Sequence, residues 1–138
     1  MQLQIDGVAV QIWNRVNSCA QQLQFQSYGY RANESISPDR IEVSFINDFF
    51  VVGVIDHNLR VDKIVVGGQT FQTEASIVFS TGSWKPTDGI QSGFRESEYL
   101  NGVGYFQYTS AAVRPDQISL ASSIYTVDET AGSVTVTV

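Results

Sequence analysis

Apolar and polar positions alternate along much of the N-terminal part of the chain, the period of a β-strand that buries one face. Gln2 to Trp13 carries Leu3, Ile5, Val8, Val10 and Ile12 about Asp6-Gly7, which predicts two strands joined by a tight turn. Gln22 to Tyr28 sets Leu23 and Phe25 against Gln22, Gln24 and Gln26 and predicts a half-buried strand. Arg40 to Asn47 repeats the pattern with Ile41, Val43 and Phe45. Leu59 to Val66 predicts another strand, ending in a buried run from Ile64 to Val66, and Gly67-Gly68 turns it back into Gln69 to Glu74.

Between Ser80 and Asn101 the alternation stops. The segment STGSWKPTDGIQSGFRESEYLN gathers Gly, Pro, Asp and Ser and predicts a long ordered loop. Loops beyond about 12–15 residues without secondary structure are uncommon in compact domains and tend to be functional, so the site is expected here. Gly104 to Thr109 returns to strand with Tyr105, Phe106 and Tyr108. Beyond Arg114-Pro115-Asp116, Ile124 to Val127 and Ser133 to Val138 form a last pair of alternating apolar stretches. Helical periodicity is confined to one turn near Glu96 to Leu100. The expected organisation is all-β: an antiparallel β-sandwich over residues 1–110, a linker over 111–123, and a C-terminal strand appendage over 124–138.

Composition agrees with this reading. Val, Ile and Thr total 37 residues against 22 for Ala, Leu, Met, Glu and Lys, so strand formers outnumber helix formers. A length of 138 residues allows one ordinary domain with a tail. The net charge of −6 disfavours nucleic acid and anionic membranes as partners, leaving cations and neutral polar ligands. No stretch reaches the ~18 apolar residues of a membrane helix, and MQLQIDG lacks the basic-then-apolar order of a secretion signal. If the protein is secreted, that signal has been removed or belongs to a longer parent. The low charge and the abundance of Ser, Thr, Gln and Asn point to an extracellular or cell-surface location.

Cys19 is alone and excludes an intrachain disulfide, and His57 is the only histidine, so a zinc site built from several His or Cys of one chain is excluded as well. There is no G-x-S-x-G elbow, no Walker loop and no G-x-G-x-x-G after a strand. Asp88, Glu96 and Glu98 could be paired for glycoside hydrolysis on spacing alone, but a non-catalytic protein is the expectation. Calcium differs from zinc, because it takes six to eight oxygen ligands and needs neither His nor Cys. Asp56, Asn58, Asp62 and Glu74 lie at or beside the second hairpin, and Asp88, Glu96, Glu98 and Asn101 lie in or just after the long loop. A cation held there would explain how so polar a loop stays ordered, whereas solvated surface acids are the plain alternative. Trp84, Phe94 and Tyr99 beside these oxygens suggest stacking on the C–H faces of sugars, with core packing the competing reading for Phe94. Trp84 is expected to be the most exposed of the three.

The run DHNLRVDKIVVGGQTFQTE, followed by VFSTGSW and SEYLNGVGYFQY, resembles the calcium-dependent xylan-binding modules of carbohydrate-binding module family 60, as does the opening MQLQIDGVAVQIW. The resemblance covers roughly Met1 to Tyr108 and implies a small jelly-roll-like β-sandwich in which calcium is shared between the protein and vicinal sugar hydroxyls. It implies a calcium or ligand region involving Asp56, Asp62, Glu74, Trp84, Asp88 and Glu98, with the five carboxylates as expected metal ligands and a xylan-like or galactan-like polysaccharide as partner; the loop residues Tyr99 and Asn101 join Trp84 as expected ligand contacts. The end of the chain, SSIYTVDETAGSVTVTV, resembles the opening of a Calx-beta domain. Family members place one more strand before the first hairpin. A sandwich without that strand would leave an open groove, which Val134, Val136 and Val138 could fill by strand exchange between subunits or by return into the same sheet. Head-to-tail exchange would build an extracellular filament of a secreted bacterial protein, the alternative to a polysaccharide-binding module.

Overall fold

The computed structural model describes residues 1–14, 16 and 25–109. The expected linker, the Calx-beta-like segment and the strand-exchange positions Val134, Val136 and Val138 lie outside the described residues. In chain order the described strands are β1 (Gln2–Ile5), β2 (Val8–Ile12), β3 (Ile41–Phe45), β4 (Phe50–Val51), β5 (Ile55–Asp56), β6 (Leu59–Arg60) and β7 (Lys63–Val66). They continue with β8 (Gln69–Gln72), β9 (Val78–Ser80), β10 (Trp84–Lys85), β11 (Gly89–Ile90), β12 (Gly93–Phe94), β13 (Tyr99–Leu100) and β14 (Gly104–Tyr108). One 3-10 turn, Pro38–Arg40, leads into β3.

An antiparallel sheet of six strands in the order β12-β9-β14-β3-β1-β2 forms one layer. The first hairpin is as expected: Asp6 and Gly7 take φ of 53° and 74°, the left-handed pair that a two-residue turn of this twist requires. Arg40 grips Asp6 at 2.6 Å, fastening that turn to the start of β3 and holding the Asp6 carboxyl below its ordinary value. The core contains Val43 and Phe45 from β3, Val78 from β9, and Phe106 and Tyr108 from β14. Leu59 and Leu100, partners in the β6–β13 ladder, close the same core from the opposite side, with Ile64 of β7 and Phe71 of β8 packed against it. The result is an antiparallel β-sandwich whose second layer consists of short ladders. Tyr108 is 1% exposed, and its hydroxyl meets Thr73 Oγ1 at 2.7 Å, so its buried polar end is satisfied.

Four local expectations are corrected. Phe25 to Tyr28, the described part of the expected strand from Gln22, is not strand. Val65 is 62% exposed within β7, because the β7–β8 hairpin keeps one face in water and the apparent buried run alternates after all. No helical turn forms near Glu96; that residue has φ of 50° and the chain proceeds directly into β13. The polar stretch from Ser80 to Asn101 is built from strand pairs only two residues long, β10 with β11, β12 with β9, and β13 with β6. A hairpin that alternation did not mark, β4–β5, projects between β3 and β6.

Candidate functional site

Trp84 stands on a rigid base. Gly82 and Gly104 touch backbone to backbone: a Cβ on Gly82 would lie 2.6 Å from the Gly102 carbonyl oxygen, and one on Gly104 would lie 2.7 Å from Gly82 N. Only glycine fits at this crossing of the β9 exit and the β14 entry. The close approach lets Gly82 O accept from Asn101 N at 2.8 Å, which ties β13 to the segment before Trp84. Ser83 is fully buried and donates its hydroxyl to Tyr99 O at 2.6 Å. With that proton committed, the 2.7 Å contact between Ser80 Oγ and Ser83 Oγ is donated by Ser80, whose oxygen also accepts from Ser83 N at 3.2 Å. The GSW stretch is therefore bonded from below, while the indole remains 52% exposed.

Polar side chains run outward from this base in series. Trp84 N donates to Asn101 Oδ1 at 3.1 Å, Asn101 Nδ2 to Asn58 Oδ1 at 3.2 Å, and Asn58 Nδ2 to Asp56 Oδ2 at 3.0 Å. Three segments distant in sequence, β5 with the two residues that follow it, β10 and the residue after β13, thus meet through hydrogen bonds that need no charge pairing. Asp48 adjoins them. A Cβ on Gly102 would stand 2.9 Å from Ile90 Cδ1 and 4.0 Å from Asp48 Oδ2, and Ile90 is the cross-strand partner of Trp84. The ladder of β4 and β5, extended by His57 N bonding Phe49 O at 3.0 Å, brings Asp48 and Asn58 to the root of the same hairpin. Asp48 carries no sequence signal for the site, because it lies before the β4–β5 hairpin, away from both the second hairpin and the long loop, and reaches Asn58 only through the pairing of β4 with β5.

The remaining expected site residues are placed elsewhere. Asp88 receives both terminal nitrogens of Arg95 at 2.7 Å, and this pairing holds its carboxyl down at about 2. Arg95 is only 8% exposed, bonds Gly89 O at 3.1 Å as well, and keeps a buried Nε that has no partner among the described residues. Glu98 is paired with Arg60 at 2.6 Å, which raises the arginine further above its ordinary value. The Arg60 guanidinium in turn lies over the rings of Phe25, 4.6 Å away, and Tyr99, 5.4 Å away. Asp62 contacts Lys63 at 3.3 Å and, through its backbone carbonyl, Thr73 N at 3.0 Å, so Asp62 and Glu74 flank the base of the β7–β8 hairpin. Phe94 is half-buried and makes an edge contact with Phe79 at 5.6 Å, a packing role.

Thus the five expected carboxylates do not gather, and no group of three or more His, Cys, Asp or Glu able to hold a metal occurs among the described residues. The corner around Asp48, Asp56, Asn58 and Asn101 has a different donor chemistry, two carboxylates and two amides. Each amide oxygen accepts one hydrogen bond and has a second lone pair, and this all-oxygen set is of the kind that suits calcium.

Residues 1–81 match CBM60, described as a Ca-dependent carbohydrate-binding module, xylan-binding. The fold is similar to the solved structure of vCBM60 in complex with galactobiose, with 32% identity and a TM-score of 0.57, covering 78% of this chain and 83% of that one. It is also similar to a selenomethionine form of vCBM60, from work presenting circular permutation as an evolutionary link between two families of calcium-dependent carbohydrate binding modules. The identity there is 33%, with a TM-score of 0.56 and coverage of 78% of this chain and 76% of that one. No curated protein matches the sequence.

Proposed function

The chain belongs to carbohydrate-binding module family 60, a family of non-catalytic binding modules, and on that premise we propose that it binds a xylan-like or galactan-like polysaccharide outside the cell in a calcium-dependent manner. The observation carrying this reading is the exposed Trp84 indole, fixed from below by Ser83 and joined at its own backbone N–H to the string Asn101–Asn58–Asp56. An aromatic face held at a fixed height beside hydroxyl-binding oxygens is the arrangement a pyranose ring needs: stacking supplies the apolar contact and the amides and acids supply direction. Preorganisation matters, because a platform that must be ordered on binding loses affinity to that ordering.

Asp56 and Asp48, with the amide oxygens of Asn58 and Asn101, are the residues that would hold calcium. The ion supplies a positive charge to which vicinal sugar hydroxyls can add as oxygen ligands. Asp88 and Glu98 act instead as partners of arginine, and their role is to fix the loop and β13. Vicinal hydroxyls are shared by xylan and galactan, so the chemistry of the site fits both.

Isothermal titration with xylo- and galacto-oligosaccharides, with calcium and with chelator, tests the proposal. The expected result is binding in calcium, loss with chelator, and recovery on adding calcium back, with Trp84→Ala weakening binding by about tenfold or more. Binding that survives chelation would remove calcium from the reading. If neither sugar series binds in calcium, the carbohydrate reading itself falls.

A further inference from the structure

The β4–β5 hairpin places apolar side chains in water: Phe49 is 54% exposed, Phe50 61%, Val52 81% and Val54 79%. Large apolar side chains so concentrated and so exposed mark a candidate contact surface. The register of the hairpin decides which side chains look towards the site. Phe50 is the cross-strand partner of Asp56, so the two share a face, and Asn58, two residues on, donates to Asp56 on that same side. Phe49 and His57 face the other way and occupy each other, ring to ring at 5.8 Å.

One hairpin face therefore carries Phe50, Asp56 and Asn58, and the string from Asn58 through Asn101 ends at Trp84. Two residues with exposed aromatic side chains thus stand at the two ends of one line of hydrogen bonds, Phe50 as the cross-strand neighbour of Asp56 and Trp84 through its backbone N–H. We propose that Phe50 is a second stacking platform, so that the site takes an internal stretch of polysaccharide chain and not a single terminal sugar. This deepens, and rests on, the reading of Trp84 as the first platform. A sugar on Trp84 leaves Phe50 uncovered, whereas a chain crossing the Asn101–Asn58–Asp56 line covers both rings and offers its hydroxyls to the polar groups between them. Affinity then grows with chain length until Phe50 is reached.

The test compares a disaccharide with a tetrasaccharide of the sugar series that binds, in calcium, by titration calorimetry. Wild-type protein is expected to bind the tetrasaccharide about tenfold more tightly. Phe50→Ala should remove most of that tenfold while leaving disaccharide affinity unchanged, Phe50→Tyr should retain it, and Phe49→Ala, on the opposite face, should change neither. Circular dichroism melting confirms that the variants fold, as the exposure of both rings leads one to expect. Equal affinities of wild type and Phe50→Ala for the tetrasaccharide would overturn the second platform and leave Trp84 untouched, as would equal losses from Phe49→Ala and Phe50→Ala. Failure of wild-type protein to bind even the disaccharide would instead overturn the reading of Trp84, and the second platform with it.

Discussion

Two irregular arms flank the polar string, and their compositions are inverted relative to how each is held. The excursion from Trp84 to Glu96 is rich in Gly, Pro, Ser and Asp, yet Arg95 reaches back across it from an almost fully buried position to take Asp88 and the Gly89 carbonyl. The hairpin from Phe49 to Asp56 is almost wholly apolar, yet its side chains lie in solvent, and its backbone is held by its own short ladder. Polarity alone thus does not mark the looser segment. A polar loop becomes rigid when one bidentate arginine closes it, and an apolar hairpin left outside the core is surface available for contact.

The contrast breaks most sharply at the root of the excursion. Gly82→Ala puts a methyl group 2.6 Å from the Gly102 carbonyl oxygen, where backbone and not a flexible side chain must yield. The expected loss is about 3 kcal/mol in urea denaturation, the upper range for overpacking. A loss under about 0.5 kcal/mol would show that the Gly82–Gly104 crossing relaxes easily and that the base under Trp84 is not rigid.

Arg95→Met tests the clasp itself. It keeps most of the apolar stem and removes both bonds to Asp88, so the melting temperature should fall by about 5 °C and protease cutting between Trp84 and Arg95 should rise, with the hairpin arm unaffected. The pH dependence sharpens this. Asp88 titrates at about 2 in the folded protein against an ordinary 3.8, a depressed carboxyl, so its contribution is fully present above about pH 4 and disappears as pH falls towards 2. Thermal melts between pH 5 and pH 2, approximate bounds set by the same linkage, should show that acid slope in wild type and a weaker one in Arg95→Met. Parallel curves would mean that the pair adds nothing to the fold.

How much of this the sequence disclosed follows from the range of each interaction. The first hairpin, β3, β7–β8 and β14 were legible from their runs of strand-forming residues and because Asp6-Gly7 and Gly67-Gly68 mark turns locally, but burial was less so, since Val8 and Ile12 of β2 and Val65 of β7 are exposed. The exposure of Trp84 was legible from its polar neighbours. The β4–β5 hairpin was not, since FFVVGVI is apolar throughout and has no period to read. Nor were the partners of the acids: Asp88 with Arg95 and Glu98 with Arg60 are fixed by backbone paths of the folded chain, and loop composition had suggested a cation where an arginine stands. Asp48 and Asn58 come together only because β4 and β5 pair.

The smallest expected effect belongs to the tip of the hairpin. Val52 and Val54 are 81% and 79% exposed, so replacing both by serine removes little buried apolar area, and Val54 N still bonds Val51 O at 2.9 Å because that contact is backbone to backbone. The double variant Val52→Ser, Val54→Ser should match wild type in urea denaturation to within about 0.5 kcal/mol, the ordinary range for surface changes. A loss above about 1 kcal/mol would show that the tip packs against the protein in solution, since only removal of buried surface destabilises on that scale for so conservative a change. The two arms would then be held alike, and the hairpin would be a packed element and not a surface kept exposed for contact. Agreement with wild type would leave the difference intact: one arm ordered by a buried arginine that pairs with an exposed carboxylate, the other keeping its apolar face in water at no expense to the fold.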